Sequence, residues 1–182
     1  DDHLAFADFD NLSPDADDTF ANVFWQDGTC RVGGDEYNAH IQSACYTHGE
    51  LTCLSCHSMH SSDPNDQLAA GMDTNEACLQ CHESFRNNLQ AHTHHATDSS
   101  GSHCYNCHMP NTSYALSTAM RSHRIDSPDA QRSADTGRPD ACNLCHLNQT
   151  LAWTSKYLTQ WYGQKPATLS EEQQTIPASL LW

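Results

Sequence analysis

Positive charge is what this sequence lacks most: Lys and Arg number 8 against 23 Asp and Glu, for a formal net charge of -15. A surface of that sign repels nucleic acid and anionic membranes, so neither is expected as a partner. Apolar residues are also few, at 37%, and the mean hydropathy is -0.69. No run approaches the roughly 18 to 20 apolar residues that span a membrane, so no transmembrane segment is expected. No basic segment followed by an apolar run opens the chain. A leader is therefore expected to have been removed, with Asp1 as the mature N-terminus. The 182 residues suffice for one ordinary domain or two very small ones. A chain this polar is short of side-chain surface to bury against the entropy of folding. Something other than its own side chains is expected to supply core. The excess lies in 10 Cys and 13 His.

Eight of the cysteines fall into four copies of Cys-x-x-Cys-His. They are Cys53-Leu54-Ser55-Cys56-His57, Cys78-Leu79-Gln80-Cys81-His82, Cys104-Tyr105-Asn106-Cys107-His108 and Cys142-Asn143-Leu144-Cys145-His146. This is the attachment signal for c-type haem. Two thiols add across the two haem vinyl groups, the short spacer places them, and the following histidine lies beneath the iron as proximal ligand. One copy would fit a thioredoxin-like dithiol or half a zinc site equally well. Four copies do not: zinc needs the pairs combined in twos and gives no role to a histidine after each one. Four haem c groups are thus expected, on Cys53 and Cys56, Cys78 and Cys81, Cys104 and Cys107, and Cys142 and Cys145. Their proximal ligands are His57, His82, His108 and His146. Haem is attached to such motifs outside the cytoplasm, so an extracellular or periplasmic location is expected.

Nine histidines remain: His3, His40, His48, His60, His92, His94, His95, His103 and His123. A lone spare histidine reads as a solvated surface residue, as His3 does. A surplus beside four irons argues for a second imidazole on each. Two imidazoles fill the iron and leave no place for substrate, which suits electron transfer. The set expected as distal ligands is His60, His92, His95 and His123, with His94, His40 and His48 as alternates, and His40 or His48 able to reach a haem in another subunit. Met59 and Met109 lie too near a proximal histidine to bind across a haem.

Gly49-Glu50-Leu51-Thr52-Cys53, Cys56-His57-Ser58-Met59-His60, the histidine cluster, Cys107-His108-Met109-Pro110, Arg121-Ser122-His123, Pro139-Asp140-Ala141-Cys142 and Trp161-Tyr162-Gly163 occur in that order. Over about residues 27 to 163 the chain resembles the multihaem cytochromes c of the c554-like, doubled-CxxCH group. The resemblance implies that the positions matching His60, the cluster and His123 are distal ligands. Size and haem count also resemble the tetrahaem cytochromes that polymerise into extracellular filaments.

Three segments are expected: an acidic, aromatic N-terminal arm over 1–29, a tetrahaem domain over 30–163 and a C-terminal tail over 164–182. The arm carries Phe6, Phe9, Phe20, Phe24 and Trp25, aromatics enough to pack on the haem domain or on the next molecule. Cys30 and Cys45 lie outside the motifs, and in an oxidising compartment a disulfide is the default, worth about 3 kcal/mol for such a loop. The stretches 63–73, 97–102 and 121–138 read as loops, the last presenting His123. The spacing of Leu151, Leu158 and Trp161 predicts a helix over 147–162. Otherwise the fold is expected to be mainly irregular with short α-helices, compact around stacked haems, with little or no sheet. Arg31, Arg86, Arg121, Arg124, Arg132 and Arg138 are candidate partners for haem propionates.

The function expected is electron transfer, in a head-to-tail homopolymer that runs haems through a filament. The alternative carrier reading is a discrete periplasmic protein passing electrons between redox partners. A reductase of nitrogen or sulfur oxyanions would need an open iron, which the histidine surplus and the absence of a lysine-ligated motif oppose. A haem-bearing docking module is a third reading.

Overall fold

The computed structural model describes residues 22–33, 36–58, 60, 67–115 and 118–182. The arm as far as residue 21 (with His3), Met59 and residues 63–66 of the 63–73 loop lie outside them.

Most of the described chain is irregular, punctuated by short helices. These are α1 (Glu36–Ile41), α2 (Ala44–Thr47), α3 (Glu76–Leu79), α4 (Leu89–Thr93) and α5 (Cys104–His108). After them come α6 (Ala130–Thr136), α7 (Leu151–Tyr162) and α8 (Glu171–Thr175). Strands β1 (Asn111–Ala115) and β2 (Thr118–Arg121) form an antiparallel pair with a bulge between Asn111 and Ser113. Among the described residues, no helix is long and apolar enough to cross a membrane.

The long helix begins at Leu151, four residues later than the apolar spacing predicts. Thr150 takes the N-cap, its side chain accepting from Trp153 N, which ends the preceding turn of motif 4 cleanly. Gly163 closes the helix at φ 69, a left-handed cap that glycine adopts without strain. The 121–138 stretch is not loop throughout. It holds α6, capped by Asp129, which accepts from Gln131 N and Arg132 N.

Residues 22–33 pack on the rest of the described chain. Phe24 bridges Cys30, Val32 bridges Tyr114, and the Trp25 indole donates to Thr112 O at 2.9 Å. Residues 164–182 also return to the body: Gln173 Nε2 donates to Ala134 O, Ala178 N to Gln149 O, and Ala178 is fully buried.

The interior is unusual in content. Among the described residues, the largest fully buried side chains are Asn143, Thr112, Thr154, Ser43 and Ser102, while buried apolar residues come down to a few such as Trp25, Leu79, Leu151 and Leu158. Side chains alone make a thin core, as the composition implied.

One buried ionic cluster crosses the fold. Arg138 reaches Asp27 at 3.1 Å and Asp126 at 3.3 Å, and Arg132 also pairs with Asp126. Burial pushes the Asp27 carboxyl up, but hydrogen bonds from Thr29 and the Arg138 charge outweigh it and hold the group below its ordinary 3.8. The unfolded chain therefore takes up this proton first as pH falls. Stability from Asp27 is present in full above about pH 4 and is lost as pH drops through the lower folded value. The denaturant midpoint of wild type should fall between pH 5 and 3 more steeply than that of Asp27→Asn; parallel curves would refute the assignment. Arg138→Gln removes the most buried cation of the cluster but leaves Asp27 to Arg124 and Asp126 to Arg124 and Arg132, and should cost about 1.5–3 kcal/mol at neutral pH.

Candidate functional site

Each Cys-x-x-Cys-His stretch winds into one helical turn. The histidine N–H donates back to the first cysteine's carbonyl at 2.9 Å for His57, 2.9 Å for His82 and 2.8 Å for His146, and the third motif is α5 itself. An i to i−4 bond brings residues one turn apart onto one side, so each turn gathers two thiols and an imidazole on one surface.

Side chains next to the motifs fix these turns. Asn75 accepts from Cys104 N at 2.9 Å and donates to Ser102 O, which joins α3 to the start of motif 3. Asp140 accepts from Cys142 N at 2.8 Å and from Asp129 N at 3.0 Å, clamping motif 4 to α6. Its burial raises the carboxyl's pKa, against those backbone hydrogen bonds. Asn143, fully buried inside motif 4, donates to Gln149 O and accepts from the Thr154 hydroxyl at 2.7 Å, which seats α7 against the motif. Sequence reading assigned no role to Asn75 or Asn143 and met Asp140 only as part of a resemblance. The signal available was a short polar residue just before or inside a turn, where such side chains cap backbone N–H groups.

Three motif histidines face a second imidazole across a gap. The His57 and His123 ring centres are 6.2 Å apart with planes at 27°. His108 and His92 are 6.2 Å apart with planes at 5°. His146 and His95 are 6.0 Å apart at 38°. These rings do not touch. A metal bonded to a ring nitrogen on each side at about 2 Å, with each ring centre about 1 Å further out, sets the centres about 6 Å apart. Burial lowers the pKa of His92 and His123, which favours the neutral ring with a lone pair to offer. The Nδ1–H groups are spoken for: His108 donates to Asp126 O at 2.9 Å, His95 to Thr93 O at 2.6 Å and His123 to Arg121 O at 3.2 Å. A backbone partner on Nδ1 fixes the ring and would leave Nε2 to bind a metal. The donor set fits haem c: paired thiols, a turn that presents an imidazole, and an opposed imidazole at the spacing of an iron. No group of three or more His, Cys, Asp or Glu converges on a bare-ion site among the described residues.

A left-handed residue directs the histidine cluster. His94 caps α4 at φ 58, which reverses the chain so that His92 and His95 leave toward different motifs. His94, an alternate ligand by sequence, stacks on Trp161 at 4.2 Å and faces no motif histidine. Gly101 lies against the His95 ring, where an added Cβ would collide. The other alternates are elsewhere: His40 is buried edge-on to Tyr46, and His48 is exposed at the end of α2. His103 shares a 2.8 Å hydrogen bond with the Tyr105 hydroxyl. His82 is exposed and its ring neighbour among the described residues is Phe85, at 6.3 Å. His60 is exposed. An open cavity of about 460 Å³ lies beside His92, walled by Phe85, His94, Trp161 and Tyr162.

The thiols of successive motifs are neighbours. Cys56 lies within the field of Cys81, and Cys107 within those of Cys145 and Cys142. A hydrogen bond between Cys78 and Cys104 pushes the first thiol up and the second down, to about 7. Cys30 and Cys45 are not joined in a disulfide. The Cys30 Sγ points at the carbonyls of Val32 and Gly33, within its own turn, while Cys45 faces Cys56 and Cys78. The arginines are engaged by the chain itself. Arg86 binds Glu76 and Glu83, Arg31 lies over Trp25, and the other four gather behind motif 3.

Residues 46–87 match the family described as the doubled CXXCH motif. No curated protein and no solved structure matches the chain. The family match takes in the first two motifs and supports a multihaem c-type cytochrome with covalently bound haem c, working in electron transfer.

Proposed function

We propose that the protein transfers electrons through four haem c groups held between paired imidazoles, and that copies stack head to tail as an extracellular filament. The observation that carries the electron-transfer reading is the spacing of 6.0 to 6.2 Å in three histidine pairs, each uniting a motif histidine with one outside the motifs. His57 with His123, His108 with His92 and His146 with His95 would hold three irons. His60 would complete the second motif, from this chain or from a neighbouring copy. When bound, haem supplies the one-electron couple. The chain's residues fix its orientation, fill its coordination and keep successive groups close, since the thiols of motifs 1 to 4 adjoin in sequence order.

Support for stacking comes from apolar side chains left in water. Leu147, Leu180, Leu181 and Trp182 lie exposed near motif 4, Leu54 lies exposed within motif 1, and Tyr37 and Tyr46 lie exposed on α1 and α2. Such surfaces on an acidic chain are places for a partner, and a head-to-tail contact between unlike patches propagates into a fibre. Electron micrographs of native material should show continuous filaments, and discrete particles alone would favour the periplasmic carrier.

One observation favours the reductase reading: Phe85, not a histidine, neighbours His82. EPR of the oxidised holoprotein separates the two, because a stoichiometric high-spin ferric signal marks an open iron and wholly low-spin haem marks a carrier.

A further inference from the structure

Four of the eight cations of this acidic chain surround one motif. Arg121 donates to the carbonyls of Tyr105 and Met109 at 3.1 Å and to Asn106 Oδ1 at 2.9 Å, with its guanidinium 4.3 Å above the Tyr105 ring. Asp126, whose carbonyl takes the His108 Nδ1–H, has its carboxylate held by Arg132, by Arg138 at 3.3 Å and by Arg124 at 3.8 Å. The acids packed with them are Asp27, Asp126, Asp129 and Asp140. Four cations and four acids leave this neighbourhood near neutral, so the net charge of -15 is carried elsewhere in the chain. Burial adds to the difference. Cys104, Cys107 and His108 are all at least partly buried, whereas Cys53, Cys81, His82 and Cys145 of the other motifs are exposed.

Oxidation of a haem adds one positive charge at the iron. Nearby guanidinium groups and the exclusion of water both disfavour that charge, while surrounding carboxylates and solvent favour it. We propose that the motif-3 haem has the highest reduction potential of the four, and that Arg121, Arg124, Arg132 and Arg138 set it there. The proposal rests on the four-haem electron-transfer reading. The step is one electron passing from a neighbouring ferrous haem to the ferric motif-3 haem, with no bond made or broken. Because the motif-3 thiols adjoin those of motifs 2 and 4, the first electron to enter settles inside the haem chain rather than at an end.

The test is a spectroelectrochemical titration of the holoprotein, wild type against Arg138→Gln, Arg132→Gln, Arg124→Gln and Arg121→Gln, with Arg86→Gln as the control beside motif 2. Arg138→Gln should lower the highest midpoint by a tenfold change in the ratio of reduced to oxidised haem, about 59 mV for one electron. The other three arginine variants, less buried and safer to fold, should lower it severalfold, and Arg86→Gln should leave it alone. EPR during reduction identifies the haem: the first low-spin signal to vanish in wild type should be the one missing from His92→Ala. The proposal is overturned if the highest midpoint stays put in all four variants, if all midpoints fall together, or if His92→Ala retains the first-vanishing signal. A haem count below four, seen before any titration, instead overturns the reading beneath it.

Discussion

Alanine at His92, His95 or His123 should turn one haem in four from low-spin to high-spin, while His94→Ala leaves the spectrum unchanged. The contrast comes from geometry, because the four histidines share one residue type but not one placement. Rings of the first three stand 6.0 to 6.2 Å from a motif histidine, and the fourth lies on Trp161. With haem bound, each opposed pair would also tie together distant parts of the chain. The link from 57 to 123 closes the longest loop and that from 92 to 108 the shortest. In the chain-entropy model these closures are worth at most about 4 and about 3 kcal/mol. His123→Ala should therefore lower the thermal midpoint most and His92→Ala least, with His95→Ala between. Quantitative EPR and calorimetry check both orders, and a high-spin signal in His94→Ala would show that the cluster is wired differently. His60→Ala, read the same way, decides whether motif 2 draws its second ligand from this residue.

Serine in place of both cysteines of any one motif should lower the covalent haem content from four to three per chain. Intact mass and absorption of the purified protein measure it. Motif 3 should prove the most damaging to lose. Its turn is α5, it is pinned by Asn75 and Arg121, and it borders the Asp27–Asp126–Arg138 cluster. The chain has few large buried apolar side chains with which to close the space, so removing a cofactor with two apolar faces leaves a cavity that cannot collapse without cost. Helical content by circular dichroism should drop in that variant beyond the loss in the motif 1 variant, whose Cys53 and Leu54 are already exposed. Four haems retained after any of the four double substitutions would refute the count.

The chemistry was legible because it is local. Cys-x-x-Cys-His holds its reactive groups within five residues, and one helical turn is enough to arrange them, so the four motifs stand out before any fold is known. So does the thin core, because composition sets how much apolar surface a chain has to bury. The irregular architecture with short helices followed from the same scarcity.

Only the tertiary structure decided partners across distance. His92 meeting His108, His95 meeting His146 and His123 meeting His57 depend on where α4, α6 and β2 bring the backbone. The left-handed turn at His94 sets it apart from His92 and His95, which sequence reading prefers over it. Cys30 and Cys45 looked like a disulfide because compartment and count favoured one, yet their sulfurs face different surroundings, and pairing needs a geometry that count cannot supply. Charge alone marked the arginines as candidate propionate partners, and the fold adds that four of them gather near motif 3 through contacts between residues 27 and 138. Local covalent chemistry is written in adjacent residues, whereas opposed ligands and charge clusters arise from chain closure, which depends on every intervening turn.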